Sequence, residues 1–251
     1  MSKLRINICH LYPEHTDYFG DRGNTLALYR RASWHGLTPS LVQVRRGEPV
    51  EFKKADLVVL GGIPAAEQEA VLESLKEQQA EFRAAVEKGL VVLAISGFFQ
   101  LLGKSFPAGP DKELSGLGIL DMRTRYREER FVGNAVVSCS LWSPPRELVG
   151  FENHTGLTYL RGVVKPLGKV IGGYGNNGRD RTEGAIYKNV IGSNLHGPLL
   201  PKNPWLTDYL LVKAMAYRHQ PFEPGPLDDR FEIKAHREAA RLASSHHYNT
   251  P

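Results

Sequence analysis

The first hundred residues alternate unbroken apolar runs with segments of helical period. Residues 4–11 (LRINICHL), 40–44 (SLVQV), 57–60 (LVVL) and 90–95 (LVVLAI) read as four strands, and the last of these has no polar position at all. Residues 25–35 read as a helix that is entered at Gly23 and Asn24 and stopped by Gly36. Residues 67–88, rich in Glu, Gln, Ala and Leu, form one long or two short helices, which Gly89 ends. Continuous apolar strands separated by helices need cover on both faces, which predicts an α/β architecture around a parallel sheet.

From about residue 116 the pattern changes. Shorter strands are expected around 132–139, 148–151, 163–170 and 185–191, joined by glycine-rich turns. A helix is expected over 206–219. Three prolines within 220–228 mark an extended connector, and 229–244 reads as a polar amphipathic helix before a frayed end. The chain shows no repeats and no low-complexity tract. The division it suggests is a main domain over 1–219, with 220–251 as connector and terminal helix packed on it or on a partner.

Composition narrows the class. The chain has 251 residues, 41% hydrophobic and 24% charged, enough for a substantial core. No stretch approaches the roughly 20 apolar residues of a membrane span. The opening MSKLRI carries neither a long apolar run nor a small-residue cleavage site, so no signal peptide is expected. Two cysteines, Cys9 and Cys139, in apolar surroundings suit buried thiols in a reducing compartment, so a cytoplasmic location is expected. The net charge is +5. Its densest cluster, Arg123, Arg125, Arg127 and Arg130, is interspersed with Asp121, Glu128 and Glu129 and reads as a solvated mixed-charge segment, not a nucleic-acid patch. His10, His15 and His35 make no metal-ligand spacing, and His246 and His247 fall in the tail, so no metal is expected.

Three stretches carry candidate chemistry. In LVVLAISGFFQLLG a buried strand runs into Ser96, then Gly97, then a short helix. A nucleophile can be presented at such a bend, with the backbone N–H groups of the new helix facing an oxyanion. An ordinary strand-to-helix turn has the same signature. In VIGSNLHGPLLP, His196 follows a strand and precedes a Gly-Pro turn, the placement of a general base or of a structural histidine. Residues 150–154 and 172–178 are glycine-rich, without the ending of a phosphate-binding loop, and are either site-forming loops or plain turns.

Taken in order, HLYPEHTDYFGDRGNTLALYRRA, AISGFFQLLG, LSGLGILD, VGFENH, GGYGNNGRDRTEG and NVIGSNLHGPLLPKNPWLTDYLL resemble the glutaminase subunits of bacterial lipid II isoglutaminyl synthases. These are class I glutamine amidotransferases of the branch close to cobyric acid synthase (CobB/CobQ type). The likeness runs to about Tyr217, and the connector and last helix fit it too. It implies a flavodoxin-like three-layer sandwich with a mostly parallel central sheet and a site at the carboxyl ends of its strands. It also implies a chemistry in which a cysteine at the elbow attacks the side-chain amide of L-glutamine, ammonia leaves and water releases glutamate. The ammonia would serve a Mur-ligase-like, ATP-dependent partner in a cytoplasmic heterodimer, which amidates the D-glutamate of lipid II to D-isoglutamine in peptidoglycan biosynthesis. ATP and Mg belong to that partner, and no cofactor is implied for this chain.

Carried over by position, the elbow residue is Ser96, the base is His196, Gly97 is an oxyanion donor, and Arg130 holds the glutamine. The loop after the third strand supplies a second donor through Gly61 or Gly62. The Glu that class I enzymes place two residues after the histidine is replaced by Pro198, as expected of a Cys–His dyad. Two departures stand out. Ser96 occupies the cysteine position, and the loop reads GGIPAAEQ where the family shows a third Gly and an Asp-Arg pair. A histidine without a supporting acid activates a serine poorly, so this form is expected to be impaired. The serine is either a substitution that traps bound glutamine or the mark of a naturally weakened relative. Besides the glutaminase subunit, two other functions fit: a non-catalytic module that supports the ligase, and an amidotransferase for a corrinoid acceptor.

Overall fold

Every side chain of residues 57–60 and 91–95 is buried, which is why these runs carry no polar position. The computed structural model describes residues 4–17 and 19–244. Its first half runs β1 (Arg5–Leu11), the single turn α1 (Pro13–Thr16), α2 (Arg22–Trp34), β2 (Thr38–Val44), β3 (Leu57–Leu60), α3 (Ala65–Lys76), α4 (Gln79–Glu87), β4 (Val91–Ile95) and α5 (Gly97–Leu101). The second half runs β5 (Ser105–Pro107), β6 (Glu113–Ser115), β7 (Met122–Cys139), β8 (Arg146–Leu160), β9 (Gly168–Gly172), β10 (Thr182–Glu183), β11 (Ala185–Tyr187), β12 (Val190–Ser193), β13 (Leu195–His196), α6 (Pro204–Tyr217) and α7 (Arg230–Ser244).

The central sheet has the order β11-β12-β4-β3-β1-β2, and all its pairings are parallel except that of β11 with β12. Alternate residues of each strand feed opposite faces. Val58, Leu60, Val92 and Ala94 join a core with Val71, Leu75 and Phe82 of α3 and α4. Leu57, Val59, Val91 and Leu93 join another with Leu28 of α2 and Leu206 and Leu210 of α6. Helices on both faces give the expected three-layer α/β sandwich. The 67–88 segment resolves into two helices, broken between Lys76 and Gln79.

A second sheet of seven strands packs at one side, with β10-β9-β7-β5-β6 in order and β8 bridging β7 and β13. The sequence pattern showed only parts of it. The strands expected over 132–139 and 148–151 are the ends of a long β7–β8 hairpin. Its remainder leaves no apolar run in the sequence because one face is in solvent: Arg123 and Arg125 are exposed while Thr124 between them is buried. The 163–170 strand begins only at Gly168, and 185–191 is a tight hairpin turned at Lys188, whose φ is 52°. Ala243 of α7 packs against Val136 and Val149 of the second sheet. Buried Arg31 of α2 ties the same region together, bonding Asp208 of α6 at 2.6 and 2.8 Å and Asp229 just before α7. The expected frayed end and the His246–His247 pair lie outside the described residues.

Candidate functional site

At the carboxyl end of β4 the backbone of Ser96 adopts φ 50° and ψ −110°, a conformation that L residues rarely take. Such a bend costs on the order of 1–3 kcal/mol and persists only when its surroundings enforce it. Here the Ser96 N–H donates to the Ser193 carbonyl at 2.7 Å, and the Ser96 carbonyl accepts from Gln100 N–H at 3.0 Å as α5 begins. A Cβ on Gly97 would stand 2.6 Å from the Ile63 carbonyl oxygen and 3.1 Å from the Ile63 nitrogen, so only glycine lets the loop after β3 pass this close to the elbow.

Ser96 and Gly97 line a cleft of about 140 Å³ together with Phe19, Ile63, Gln100, Arg130, Asn153 and His154. Arg130 is held from one side, its Nε donating to Asn153 Oδ1 at 2.9 Å and an Nη donating to the Asn153 carbonyl at 3.3 Å. The rest of the fork has no hydrogen-bond partner among the described residues and could take a carboxylate. Burial pushes His154 down to about 4, so it is neutral; Nδ1 lies 3.0 Å from the Gly156 carbonyl, and Nε2 has no partner among the described residues. A larger cleft of about 760 Å³, lined by Lys53, Asp56, Gly89, Asn189, Lys213 and Arg218 among others, opens at the amino ends of the strands. It contains neither Ser96 nor His196, and in parallel α/β sheets chemistry gathers at the carboxyl ends, so the smaller cleft is the candidate site.

His196 sits on β13, paired with Phe151 of β8, and is buried. The Phe19 ring lies against the imidazole, with centroids 4.9 Å apart, and Phe19 also forms part of the cleft wall, which His196 itself does not. A Cβ on Gly62 would stand 2.9 Å from His196 Cε1, so the segment 62–63 approaches His196 through one residue and the elbow through the next. Neither ring nitrogen of His196 has a hydrogen-bond partner among the described residues. Its Nδ1 lies 3.7 Å from Oδ2 of the fully buried Asp21. That same oxygen accepts the Gly62 N–H at 2.6 Å. The expectation that Gly62 donates to an oxyanion therefore meets a different geometry. Its amide is engaged by Asp21, and the backbone N–H groups beside the elbow are those of Ile63 and Gly97.

Behind the site lie two buried carboxyls. Glu183 Oε1 accepts Ser193 Oγ–H and Asn194 N–H, each at 2.8 Å. Glu152 accepts the N–H groups of Tyr174 and Gly175 at 2.8 and 2.6 Å. Burial, reinforced by Glu183, pushes Glu152 up to about 8, and burial likewise raises Glu183. The 172–178 loop thus holds Glu152 through two backbone N–H groups. Asp21, His154 and Glu183 were not singled out in the sequence. Asp21 and His154 stand in segments that drew notice, FGDRGN and VGFENH, but nothing local announces their partners. Burial pushes the thiols of Cys9 and Cys139 up to about 12 and about 11, so neither supplies a reactive thiolate. Among the described residues no three His, Cys, Asp or Glu side chains converge as metal ligands, and no helix is long and apolar enough to cross a membrane.

Residues 7–204 match the family described as the CobB/CobQ-like glutamine amidotransferase domain. The chain is similar to subunit GatD of the glutamine-hydrolyzing lipid II isoglutaminyl synthase of Staphylococcus aureus, with 38% identity over 92% of this chain and 93% of that one. The subunit of the same name from Streptococcus pneumoniae is 33% identical over 86% and 82%. A cobyric acid synthase of Sphingopyxis alaskensis is 29% identical over 69% of this chain but only 34% of its own length. Among solved structures, a glutamine amidotransferase superposes with a TM-score of 0.57 at 15% identity, covering 82% of this chain and 98% of that one. A Thermotoga maritima glutamine amidotransferase gives 0.53 at 18% identity, covering 95% and 94%. At these identities the likeness is one of fold.

Proposed function

The chain belongs to the CobB/CobQ-like glutamine amidotransferase family, alongside the GatD subunits of lipid II isoglutaminyl synthase, and from that membership we propose that it hydrolyses L-glutamine and passes the ammonia to a ligase. In this reading Arg130 takes the α-carboxylate of glutamine and the side-chain amide reaches Ser96. Ser96 Oγ attacks the carboxamide carbon while its proton passes to His196. The N–H groups of Ile63 and Gly97 receive the oxyanion. His196 returns the proton to the leaving nitrogen, ammonia departs, and an ester remains on Ser96. Water, deprotonated by His196, then attacks the ester, and glutamate and the free hydroxyl are released.

The partner is a Mur-ligase-like subunit that binds ATP and Mg and amidates the D-glutamate of lipid II in the cytoplasm. The observation that carries the reading is the enforced bend at Ser96, opening on the cleft that Arg130 also lines. Serine in place of cysteine makes the first step slower, because its hydroxyl ionises far less readily than a thiol.

The test is glutamate release from glutamine by the full chain and by Ser96→Cys, each alone and with the ligase subunit. Ser96→Cys is expected to raise turnover, and His196→Ala in that background to abolish it with the fold intact. If Ser96→Cys stays inert with the ligase bound while the ligase still uses free ammonium, the chain is a supporting module. A corrinoid acceptor has less support, since the chain spans only a third of the cobyric acid synthase it matches.

A further inference from the structure

We infer that Asp21 is the acid behind His196, so that Ser96, His196 and Asp21 work as a serine-type triad carried within one chain. The inference rests on the glutaminase reading of the site and explains how a serine can serve where the family uses a thiol.

Asp21 occupies the N-cap position of α2, where an aspartate side chain ordinarily accepts a backbone N–H from the first turn of its own helix. Here it makes no such bond. Its carboxylate turns inward and is fully buried. One oxygen, Oδ1, takes the side-chain amide of Asn24 at 3.2 Å. The other takes the Gly62 N–H at 2.6 Å and lies 3.7 Å from His196 Nδ1. Burying a carboxylate is costly unless charge or donors answer it. The His196 ring is the group within 4 Å that can answer it with charge, and that ring has no other polar partner among the described residues. Closing 3.7 Å to a hydrogen bond needs a shift of under about 1 Å, within the tightening expected when substrate binds.

The residue two places after His196 is Pro198, which supplies no carboxylate, so Asp21 fills that role from the opposite end of the chain. Asp21 is a positioning residue. It accepts Nδ1–H, holds the tautomer whose Nε2 is free to take the Ser96 proton, and stabilises the imidazolium once that proton arrives. It takes no proton itself. The same carboxylate anchors the loop that brings the Ile63 amide to the elbow, so base and oxyanion loop share one support.

A serine depends on such support more than a cysteine does, because a thiol already ionises appreciably near neutral pH. The experiment is a double-mutant cycle between Asp21→Asn and Ser96→Cys in the full chain with its ligase subunit, reading kcat and KM for glutamate release. Asn keeps an acceptor for the Gly62 amide, so the loop is retained, and unchanged thermal melting checks the fold.

In the Ser96 protein, Asp21→Asn is expected to lower kcat by about 10²–10⁴-fold. KM should stay within about threefold, since Asp21 does not line the cleft. In the Ser96→Cys protein the same change should cost less than about tenfold. Equal losses in the two backgrounds overturn the inference. So does a Ser96 protein without turnover beside an active Ser96→Cys protein, because a working triad must drive the serine. If Ser96→Cys also releases no glutamate, the glutaminase reading itself falls, and the triad with it.

Discussion

Replacing Glu183 tests whether the β12–β13 turn sets the geometry of the site. Its carboxyl is fully buried and accepts from Ser193 Oγ–H and Asn194 N–H at 2.8 Å each, with Asn194 Nδ2 at 3.4 Å. Two features tie that turn to the candidate site: the Ser193 carbonyl accepts the Ser96 N–H, and His196 lies on β13, which follows the turn. Glu183→Leu fills the volume but strands at least two buried donors, at about 1–3 kcal/mol each. Removal of a costly buried carboxyl offsets part of this, so the net loss should be about 2–5 kcal/mol. Glu183→Gln keeps an acceptor oxygen for both donors and should lie within about 1 kcal/mol of the parent. Urea unfolding of the three proteins, read as midpoint and slope, gives the stability series. Glutaminase rates in the Ser96→Cys background should fall further for Leu than the fraction unfolded accounts for. A Leu variant within about 0.5 kcal/mol of the parent, or one weakened in stability but with full turnover of its folded fraction, would show that the carboxyl does not set the site.

Other outcomes follow from the same geometry. Arg130→Ala removes the contact proposed to the substrate carboxylate and should raise the KM for glutamine about 10- to 100-fold without moving the melting temperature, because the side chain is exposed and among the described residues hydrogen-bonds only Asn153; unchanged KM in steady-state assays would assign the carboxylate to another residue. Gly62→Ala places a methyl group 2.8 Å from Phe19 Cδ2 and 2.9 Å from His196 Cε1, so turnover of Ser96→Cys should drop at least about 100-fold for a stability loss of about 1–3 kcal/mol; comparison of rates with melting curves decides. Glu152 keeps its proton in the folded chain up to about 8, whereas the unfolded chain loses it near 4.5. The folded state therefore binds more protons in that window, and the group's contribution to stability, full below about 4.5, declines as pH rises toward 8. Melting temperatures across pH 5–8 should fall more steeply for the native chain than for Glu152→Gln.

The central sheet was legible because its strands are covered on both sides. Nothing polar interrupts residues 57–60 or 91–95, and the glycines after them mark where the chain turns toward the site. The second sheet was half legible for the opposite reason. Its exposed face carries Arg123, Arg125 and Glu129, and a strand with arginines on alternate positions reads as a solvated segment. Ser96 and His196 stood out as residues at the ends of strands. Asp21 did not, because the pattern enters the helix at Gly23 and Asn24 and leaves Asp21 in the preceding loop; the folded chain starts α2 at Arg22 and turns the Asp21 carboxylate inward. Glu183 was hidden likewise, since a glutamate in RDRTEG gives no sign of burial. What the pattern missed is long-range pairing of polar atoms, which leaves no local period.

Ser96 ends a strand of the parallel sheet, whereas His196 belongs to the second sheet through its pairing with Phe151, and the chain crosses between them at Asn194. In the proposed reaction the alignment of hydroxyl and imidazole is thus a property of a joint, like the meeting of two blades at a pivot. His196 is carried by β8 through β13, whereas Ser96 follows β4, so any displacement of one sheet against the other would change their spacing.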